Sequence, residues 1–261
     1  MNLLKKLRKK TAVEYSISGS SNKIISETNN VICNIEKKHK NCPLQIVGNN
    51  NTVIFHTEKQ LKSLPHMFSI IIYGNNNLVE VFYPNATGPV DINISGNNAK
   101  LTIQEQKKYP LCDVHFLINR GGEIHIGKNC QLCNGNFLAI VKGDYKEKHK
   151  LIIGDGCYIA KNATFRTFDG HTFIDRSTNL PLNPPADITV GNNCWIMQNC
   201  MILHGAVIPD NSAVAANSLV NKKFTESNIL LAGCPAKIIK NNILWNPLSY
   251  GEYMEQLYNK N

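Results

Sequence analysis

An aliphatic residue recurs at every sixth position in the C-terminal third of the chain. The series runs Val190, Ile196, Ile202, Ile208, Val214 and Val220. Four places after each comes a mostly small residue: Cys194, Cys200, Ala206, Ser212 and Ser218, with Phe224 as the exception. A period of six fits neither an α-helix nor an alternating β-strand. It is typical of a chain that turns a corner every six residues, so we predict stacked coils of three hexapeptides, or about 18 residues each, with the aliphatic side chains pointing inward.

Glycine, often followed by asparagine, marks corners along the rest of the chain. We interpret these glycines as one series: Gly19, Gly48, Gly74, Gly96, Gly127, Gly154 and Gly191. Both residue types tolerate the left-handed backbone conformation that a tight corner needs. The intervals between successive glycines are longer than the 18 or so residues of one coil. Most of them contain charged or proline-bearing segments such as EQKKYP and RTFDGHTFIDRSTNLPLNPPAD, which predict surface loops. The sequence therefore predicts one β-helix domain over residues 16–240, with roughly eight coils.

The two ends of the chain lie outside the repeat. Residues 1–15 are basic, with Leu3, Leu4 and Leu7 on one helical face, and residues 241–261 carry Trp245 and Leu257. The ends of a β-helix are open sheet edges that need covering. We therefore expect short helical caps, including a helical tail at 241–261. For the N-terminal segment the alternatives are plain disorder and, for residues 1–10, peripheral attachment to a membrane surface through their positive charge.

Composition narrows the class of protein. Of 261 residues, 43% are hydrophobic and 18% charged, which excludes a disordered chain. No apolar run approaches the roughly 20 residues that span a bilayer, and polar TAVEYSISGS follows the basic start where a signal peptide would be apolar. We expect a cytoplasmic protein, with the inner face of the membrane as the alternative. The formal charge of +9 favours acidic partners. Nucleic acid is not expected, because no recognition motif accompanies the charge.

The cysteines predict packing and no metal. Cys130 and Cys133 form a CxxC, but no second CxxC or histidine pair follows at zinc spacing. Cys130, Cys157, Cys194 and Cys200 occupy the small inward position of a hexapeptide. An odd total of nine cysteines also favours reduced thiols over a disulfide framework.

From Ile153 to Trp245 the chain carries a set of more specific motifs. They are FDGHTFID, PPADITVGNNCWI, ILHGAVIPDNSAVAANSLV and AGCPAKII, in that order. In these motifs the chain resembles the bacterial hexapeptide-repeat O-acetyltransferases, and within them the group that modifies hydroxyls of cell-surface sugars such as sialic acid. The resemblance implies an all-β, left-handed parallel β-helix that assembles as a homotrimer. It also implies acetyl-CoA as co-substrate, with its thiol end in a groove between neighbouring coils of two subunits.

The resemblance also implies a set of functional residues. It assigns His171 as the general base and Trp195 as a residue lining the acetyl group. It places further residues near the cofactor: Gln198, Ala216, Asn221, Lys222, Lys237 and Lys240. Met197 and Asn217 stand where the family usually has glycine, and both could reshape the cofactor groove.

The chemistry of acyl transfer fits these residues. A neutral histidine accepts a hydroxyl proton near neutral pH, and His171 lies in the longest predicted loop, behind Gly170. Asp169 would orient the imidazole or hold a sugar hydroxyl, with plain turn chemistry as the alternative. His204 is interpreted as an exposed surface histidine, with a place near the groove as the alternative. Trp195 could equally be a subunit contact, and the lysines a solvated basic surface.

Direct O-acetylation of a surface glycan is the predicted function. One alternative is N-acetylation of an amino sugar, which would use the same fold and donor. Another is a non-catalytic β-helical scaffold, which would bind no CoA. A metal hydratase on the same fold needs histidines converging from adjacent coils, two of them about five residues apart, and the sequence has no such pair.

Overall fold

The fold is seen in a computed structural model. It describes residues 16–26, 30–31, 44–57, 67–132, 137–143 and 147–259. The basic segment at 1–15, Cys133 and the loops predicted around 35–43 and 58–65 lie outside these residues.

Short parallel strands stack into three flat sheets, so the chain forms a parallel β-helix. Sheet A contains Ser16–Ser18, Leu44–Val47, Phe68–Tyr73, Val90–Ser95, Val114–Asn119, Phe137–Lys142, Thr164–Arg166, Met201–Leu203 and Leu219–Val220. Sheet B contains Lys23–Ser26, Thr52–His56, Leu78–Phe82, Lys100–Ile103, Glu123–Ile126, Lys150–Ile153, Ile188–Val190 and Val207–Ile208, with Asn30–Val31 antiparallel to the first. Sheet C contains Gln131–Leu132, Tyr158–Ile159, Trp195–Ile196, Ala213–Val214 and Leu230–Gly233, with Ala236–Lys240 antiparallel to the last.

The predicted hexapeptide repeat is confirmed in the last coils. Val190 pairs with Ile208, Ile196 with Val214 and Ile202 with Val220, which is one coil per 18 residues. These aliphatic side chains are buried, as are the four cysteines predicted to point inward. Removing such surface from water stabilises the coil by about 25 cal/mol per Å². The interior is therefore an apolar column along the helix axis.

The earlier coils differ from this regular pattern. Sheets A and B run through the described chain with strands of mostly four to six residues, whereas sheet C begins only at Gln131. Among the described residues before that point, non-strand segments such as 104–110 lie between sheet B and sheet A. Sheet A has nine strands among the described residues, one more than the roughly eight coils expected.

The corner glycines fall into two columns, and the single series predicted from the sequence is wrong. Gly19, Gly48, Gly74 and Gly96 stack at the corner between sheets A and B, where a Cβ on Gly48 would lie 1.9 Å from the carbonyl oxygen of Gly74. Gly127, Gly154 and Gly191 stack at the corner between sheets B and C. The first column ends at Gly96, whose Cβ would lie 2.9 Å from the amide nitrogen of Arg120. Sequence spacing alone does not distinguish the two corners.

Buried asparagines link neighbouring coils at the first corner. Asn51 and Asn77 are 0% and 1% exposed. The Nδ2 of Asn77 donates to Asn51 Oδ1 and to the carbonyl oxygen of Gly96, both at 2.9 Å. Its Oδ1 accepts from the amide of Ala99 at 2.9 Å. The side-chain amides thus satisfy corner groups that would otherwise be buried without partners.

The C-terminal tail lies across sheet C and is only partly helical. Trp245 Nε1 donates to the carbonyl oxygen of Asn193 at 2.6 Å, and its ring packs 5.1 Å from that of Tyr158. The helix covers Tyr250–Tyr258 and begins with a capping box between Ser249 and Glu252. Residues 241–249 are not helical. Among the described residues, no helix combines the length and apolar composition needed to cross a membrane.

Replacing Asn77 by alanine should destabilise the fold. The variant leaves the amide of Ala99 and the carbonyl oxygen of Gly96 without the side-chain partners that Asn77 supplies, so we expect the free energy of unfolding to fall by about 2–4 kcal/mol. Urea denaturation followed by circular dichroism at fixed protein concentration measures this change. Asn241→Ala removes an exposed amide and should shift stability by less than about 0.5 kcal/mol. Equal losses in both variants would contradict a structural role for the buried asparagines.

Candidate active site

The longest loop leaves the β-helix at the corner between sheets A and B. It joins Thr164–Arg166 in sheet A to Ile188–Val190 in sheet B. Thr167 is fully buried at its neck. Its carbonyl oxygen accepts from the amide of Ala186 at 3.1 Å, and its Oγ1 accepts from the amide of Lys142 at 3.1 Å. The neck is therefore fixed to the β-helix while residues 168–185 extend outward, as the sequence predicted for this segment.

Asn183 holds the inner part of this loop together. Its Nδ2 donates to Asp169 Oδ2 at 2.8 Å and to the carbonyl oxygen of His171 at 2.9 Å. Its Oδ1 accepts from the amide of Phe173 at 2.8 Å. A role for Asn183 was not predicted from the sequence. The only local signal is its position just before Pro184 and Pro185, which restricts the backbone at 183.

Asp169 pairs with His204 from the next coil. Asp169 Oδ2 lies 3.2 Å from His204 Nε2, and the two side chains are 31% and 25% exposed. The interpretation of His204 as an exposed surface histidine is therefore wrong. The hydrogen bond from Asn183 lowers the pKa of Asp169, and the charges of His204 and Arg166 act in the same direction. At pH values above the ordinary pKa of a carboxyl group, ionised Asp169 thus stabilises the loop. This contribution is lost as the pH falls through the lowered pKa of Asp169.

His171 is exposed and lines a cavity of about 170 Å³. The other walls of the cavity include Arg120, Lys142, Phe168 and Asn183. Within one chain Asp169 faces His204, and no contact between Asp169 and the His171 ring is seen among the described residues. The predicted orienting role of Asp169 toward His171 therefore stays a prediction.

Trp195 lies in a different and larger cavity on sheet C. This cavity has a volume of about 520 Å³, with Met197, Leu230, Trp245 and Tyr253 among its lining residues. The ring of Trp195 packs 6.0 Å from that of Trp245. One chain therefore keeps Trp195 and His171 in separate cavities.

Two kinds of comparison with known proteins bear on the family. The family model described as bacterial transferase hexapeptide (six repeats) matches residues 187–222. A polysialic acid O-acetyltransferase of Neisseria meningitidis is 30% identical over 209 residues, which is 79% of this chain and 91% of that relative. The chain belongs to the hexapeptide-repeat O-acetyltransferases. A galactoside O-acetyltransferase of Escherichia coli (strain K12) is 34% identical over 120 residues, 46% of this chain and 55% of that relative.

Solved structures support the fold of this O-acetyltransferase. The polySia-specific acetyltransferase NeuO matches 94% of this chain and 99% of its own, with a TM-score of 0.61 and 21% identity. The polysialic acid O-acetyltransferase OatWY matches 95% of this chain and 99% of its own, with a TM-score of 0.51 and 23% identity. The predicted left-handed parallel β-helix is confirmed, and so is the predicted class of enzyme, an acyltransferase.

The residues that the O-acetyltransferase resemblance assigns to the cofactor lie at two corners and on one strand. Gln198 and Ala216 are exposed at equivalent positions of consecutive coils, after the paired Ile196 and Val214. Asn221 and Lys222 follow the last strand of sheet A, at the opposite side of that sheet. Lys237 and Lys240 are exposed on the antiparallel strand that ends sheet C. One chain does not gather these six residues into one site.

The two departures from the family pattern have different surroundings. Asn217 has a φ of +58° and its Oδ1 accepts from Asn199 Nδ2 at 3.1 Å. Asparagine tolerates this left-handed conformation, so the corner keeps its backbone conformation with asparagine in place of glycine. Met197 lines the cavity of Trp195, where it narrows the space that a glycine would leave open.

Asn183→Ala should reduce catalysis without unfolding the enzyme. Losing three hydrogen bonds frees the backbone around His171, so we expect kcat/KM for acetyl transfer to fall about 10- to 100-fold. The melting temperature should stay within about 2 °C of wild type, because the loop lies outside the core. Asn179→Gly removes another amide from the same loop, keeps its positive φ and should retain activity. Equal losses in the two variants would contradict a specific positioning role for Asn183.

Proposed function

We propose that this O-acetyltransferase transfers the acetyl group of acetyl-CoA to a hydroxyl of a cell-surface glycan that contains sialic acid. The observation that carries the proposal is the 30% identity, over 79% of the chain, to an enzyme named for polysialic acid. The formal charge of +9 supports an acidic acceptor, because long-range attraction raises its local concentration.

His171 is the proposed general base for direct transfer. As the acceptor hydroxyl attacks the thioester carbonyl, the imidazole takes its proton, the C–O bond forms and the C–S bond breaks. The proton then passes to the departing thiolate, which leaves as CoA. Backbone amides of a neighbouring coil would stabilise the oxyanion. The exposure of His171 inside a cavity supports this role, and the burial of Cys130, Cys157, Cys194 and Cys200 argues against an acyl-cysteine intermediate at these thiols.

A homotrimer is the proposed assembly, with each site formed by two subunits. The tip of the His171 loop exposes four large apolar side chains: Phe173, Ile174, Leu180 and Leu182. Such a patch is typical of a surface that is covered by a partner. The apolar cavity of Trp195 on sheet C is a complementary surface. Packing the loop of one subunit against sheet C of the next would bring His171 to Trp195, which one chain keeps apart.

His171→Ala should lower kcat by at least about 100-fold, because it removes the proposed base that takes the hydroxyl proton. Acetyl ester formation and CoA release are measured with sialylated and neutral oligosaccharides. His125→Ala changes a histidine in a separate cavity on sheet B and should leave the rate unchanged. Full activity in His171→Ala would remove His171 from the role of base, and His204 would then be the next residue to test.

Mixing inactive variants tests the shared site. His171→Ala and Trp195→Ala subunits, unfolded together and refolded, should recover about a quarter of wild-type activity, because one interface in four combines both intact residues. Each variant refolded alone stays at its own low activity. Sedimentation of the wild type should give a trimer mass. No recovery from mixed trimers would contradict a site formed between subunits.

A further inference from the structure

We propose that Arg120 and Lys142 form a subsite that binds the carboxylate of the acceptor sugar beside His171 and so selects acidic glycans. This inference rests on the proposed function and names the residues that would set its acceptor preference. Both side chains line the same cavity as His171. Neither residue stands out in the sequence, because they belong to different coils.

The β-helix places the two cations on one corner. Arg120 directly follows Asn119, which pairs with Lys142 in the sheet A register. The amide of Arg120 donates to the carbonyl oxygen of Ser95 at 3.1 Å, which anchors its backbone to the coil before. The amide of Lys142 donates to Thr167 at the neck of the His171 loop. The two cations are therefore attached to the rigid frame from which the loop extends.

Arg120 occupies its corner in a conformation that favours glycine. Its φ is +47°, and it follows the glycine column that ends at Gly96. A large side chain is uncommon in this region, and among the described residues only Met67 and Tyr83 share this feature with Arg120. The next coil accommodates the backbone of Arg120, since a Cβ on Gly143 would lie 2.2 Å from the carbonyl oxygen of Arg120.

The cavity carries an excess of positive charge. Lys142 Nζ lies 5.0 Å and Arg166 Cζ 5.9 Å from the centre of the Phe168 ring, so both cations flank one aromatic side chain. Within the described part of the chain, no carboxylate lies within 4.0 Å of the charged nitrogens of Arg120 or Lys142. Asp169 is engaged by Asn183 and His204. Arg120 and Lys142, which have no carboxylate partner among the described residues, suit a monoanionic ligand.

A carboxylate matches this site better than a neutral hydroxyl does. Arginine binds a carboxylate through two parallel hydrogen bonds, and a lysine adds a point charge. A carboxylate held here would orient the acceptor in the cavity that contains His171. The phosphates of CoA are the other source of negative charge, and the experiment separates the two.

The test compares an acidic acceptor with its neutral counterpart. The probes are a sialyl oligosaccharide and the same oligosaccharide with its carboxylates converted to methyl esters. Steady-state kinetics of wild type, Arg120→Gln and Lys142→Met give KM and kcat for both acceptors and KM for acetyl-CoA. Lys150→Gln serves as the matched control, because Lys150 lies on sheet B and pairs with Glu123 at 3.6 Å.

Each variant is expected to raise the KM for the acidic acceptor about 10-fold, the effect of losing one charge-assisted contact. The kcat, the KM for the ester and the KM for acetyl-CoA should each stay within about twofold of the wild-type value. All kinetic constants of Lys150→Gln should also stay within about twofold of wild type. Arg120→Lys, which keeps the charge, should recover part of the loss. Added salt should raise the wild-type KM for the acid more than that for the ester.

Equal changes in KM for the acidic acceptor and for its ester would contradict the carboxylate subsite. A KM raised for acetyl-CoA alone would also contradict it, because that result would indicate a contact with the phosphates of CoA. Failure of the proposed function would give a different result. A wild-type enzyme that acetylates neither acceptor would contradict the proposed function itself. A wild-type enzyme that prefers the acid, with variants that keep the same preference, would remove only the roles of Arg120 and Lys142.

Discussion

The close stacking of one corner directly on the next is the constraint on which the structure depends. Apart from one antiparallel pair in sheet B and one in sheet C, the described strands pair with strands of neighbouring coils, so each coil must repeat the path of the one before it. At the corner of sheets A and B this brings backbone so close that Gly48 and Gly74 have no room for a Cβ. Buried asparagines at the same corner supply the hydrogen bonds that the turning backbone lacks. The corners therefore restrict which residue types the chain can carry at these positions.

The candidate site occurs where this regularity is interrupted. The loop that carries His171 leaves at the corner of sheets A and B, and Thr167 closes its neck with backbone hydrogen bonds. The chain then returns in register, so Ile153 pairs with Val190 across the interruption. A rigid frame can thus hold a long loop at a fixed place, which is what positioning a catalytic base requires. The frame also places Arg120 and Lys142 beside that loop.

Charge and exposed apolar surface are distributed in a way that suits a shared site. Cations line the cavity of His171, whereas apolar residues cover the loop tip and the cavity of Trp195. The apolar surfaces are suited to contact between subunits, since burying them excludes water from an acyl transfer that water would otherwise divert. In the proposed homotrimer, the loop of one subunit and sheet C of the next would each contribute one part of the site, and the cationic surface would be left for the acceptor.

The period of six, the inward cysteines, the long loop and the family can be predicted from the sequence, because each depends on residues that are near in sequence or on motifs in a set order. Which glycines share a corner is seen only in the folded chain, since loops of different length separate the coils. The pairing of Asp169 with His204 and the hydrogen bonds of Asn183 are likewise seen only there. The grouping of Arg120, Lys142 and His171 depends on register across coils. Contacts of that kind depend on how the coils stack, which local spacing does not encode.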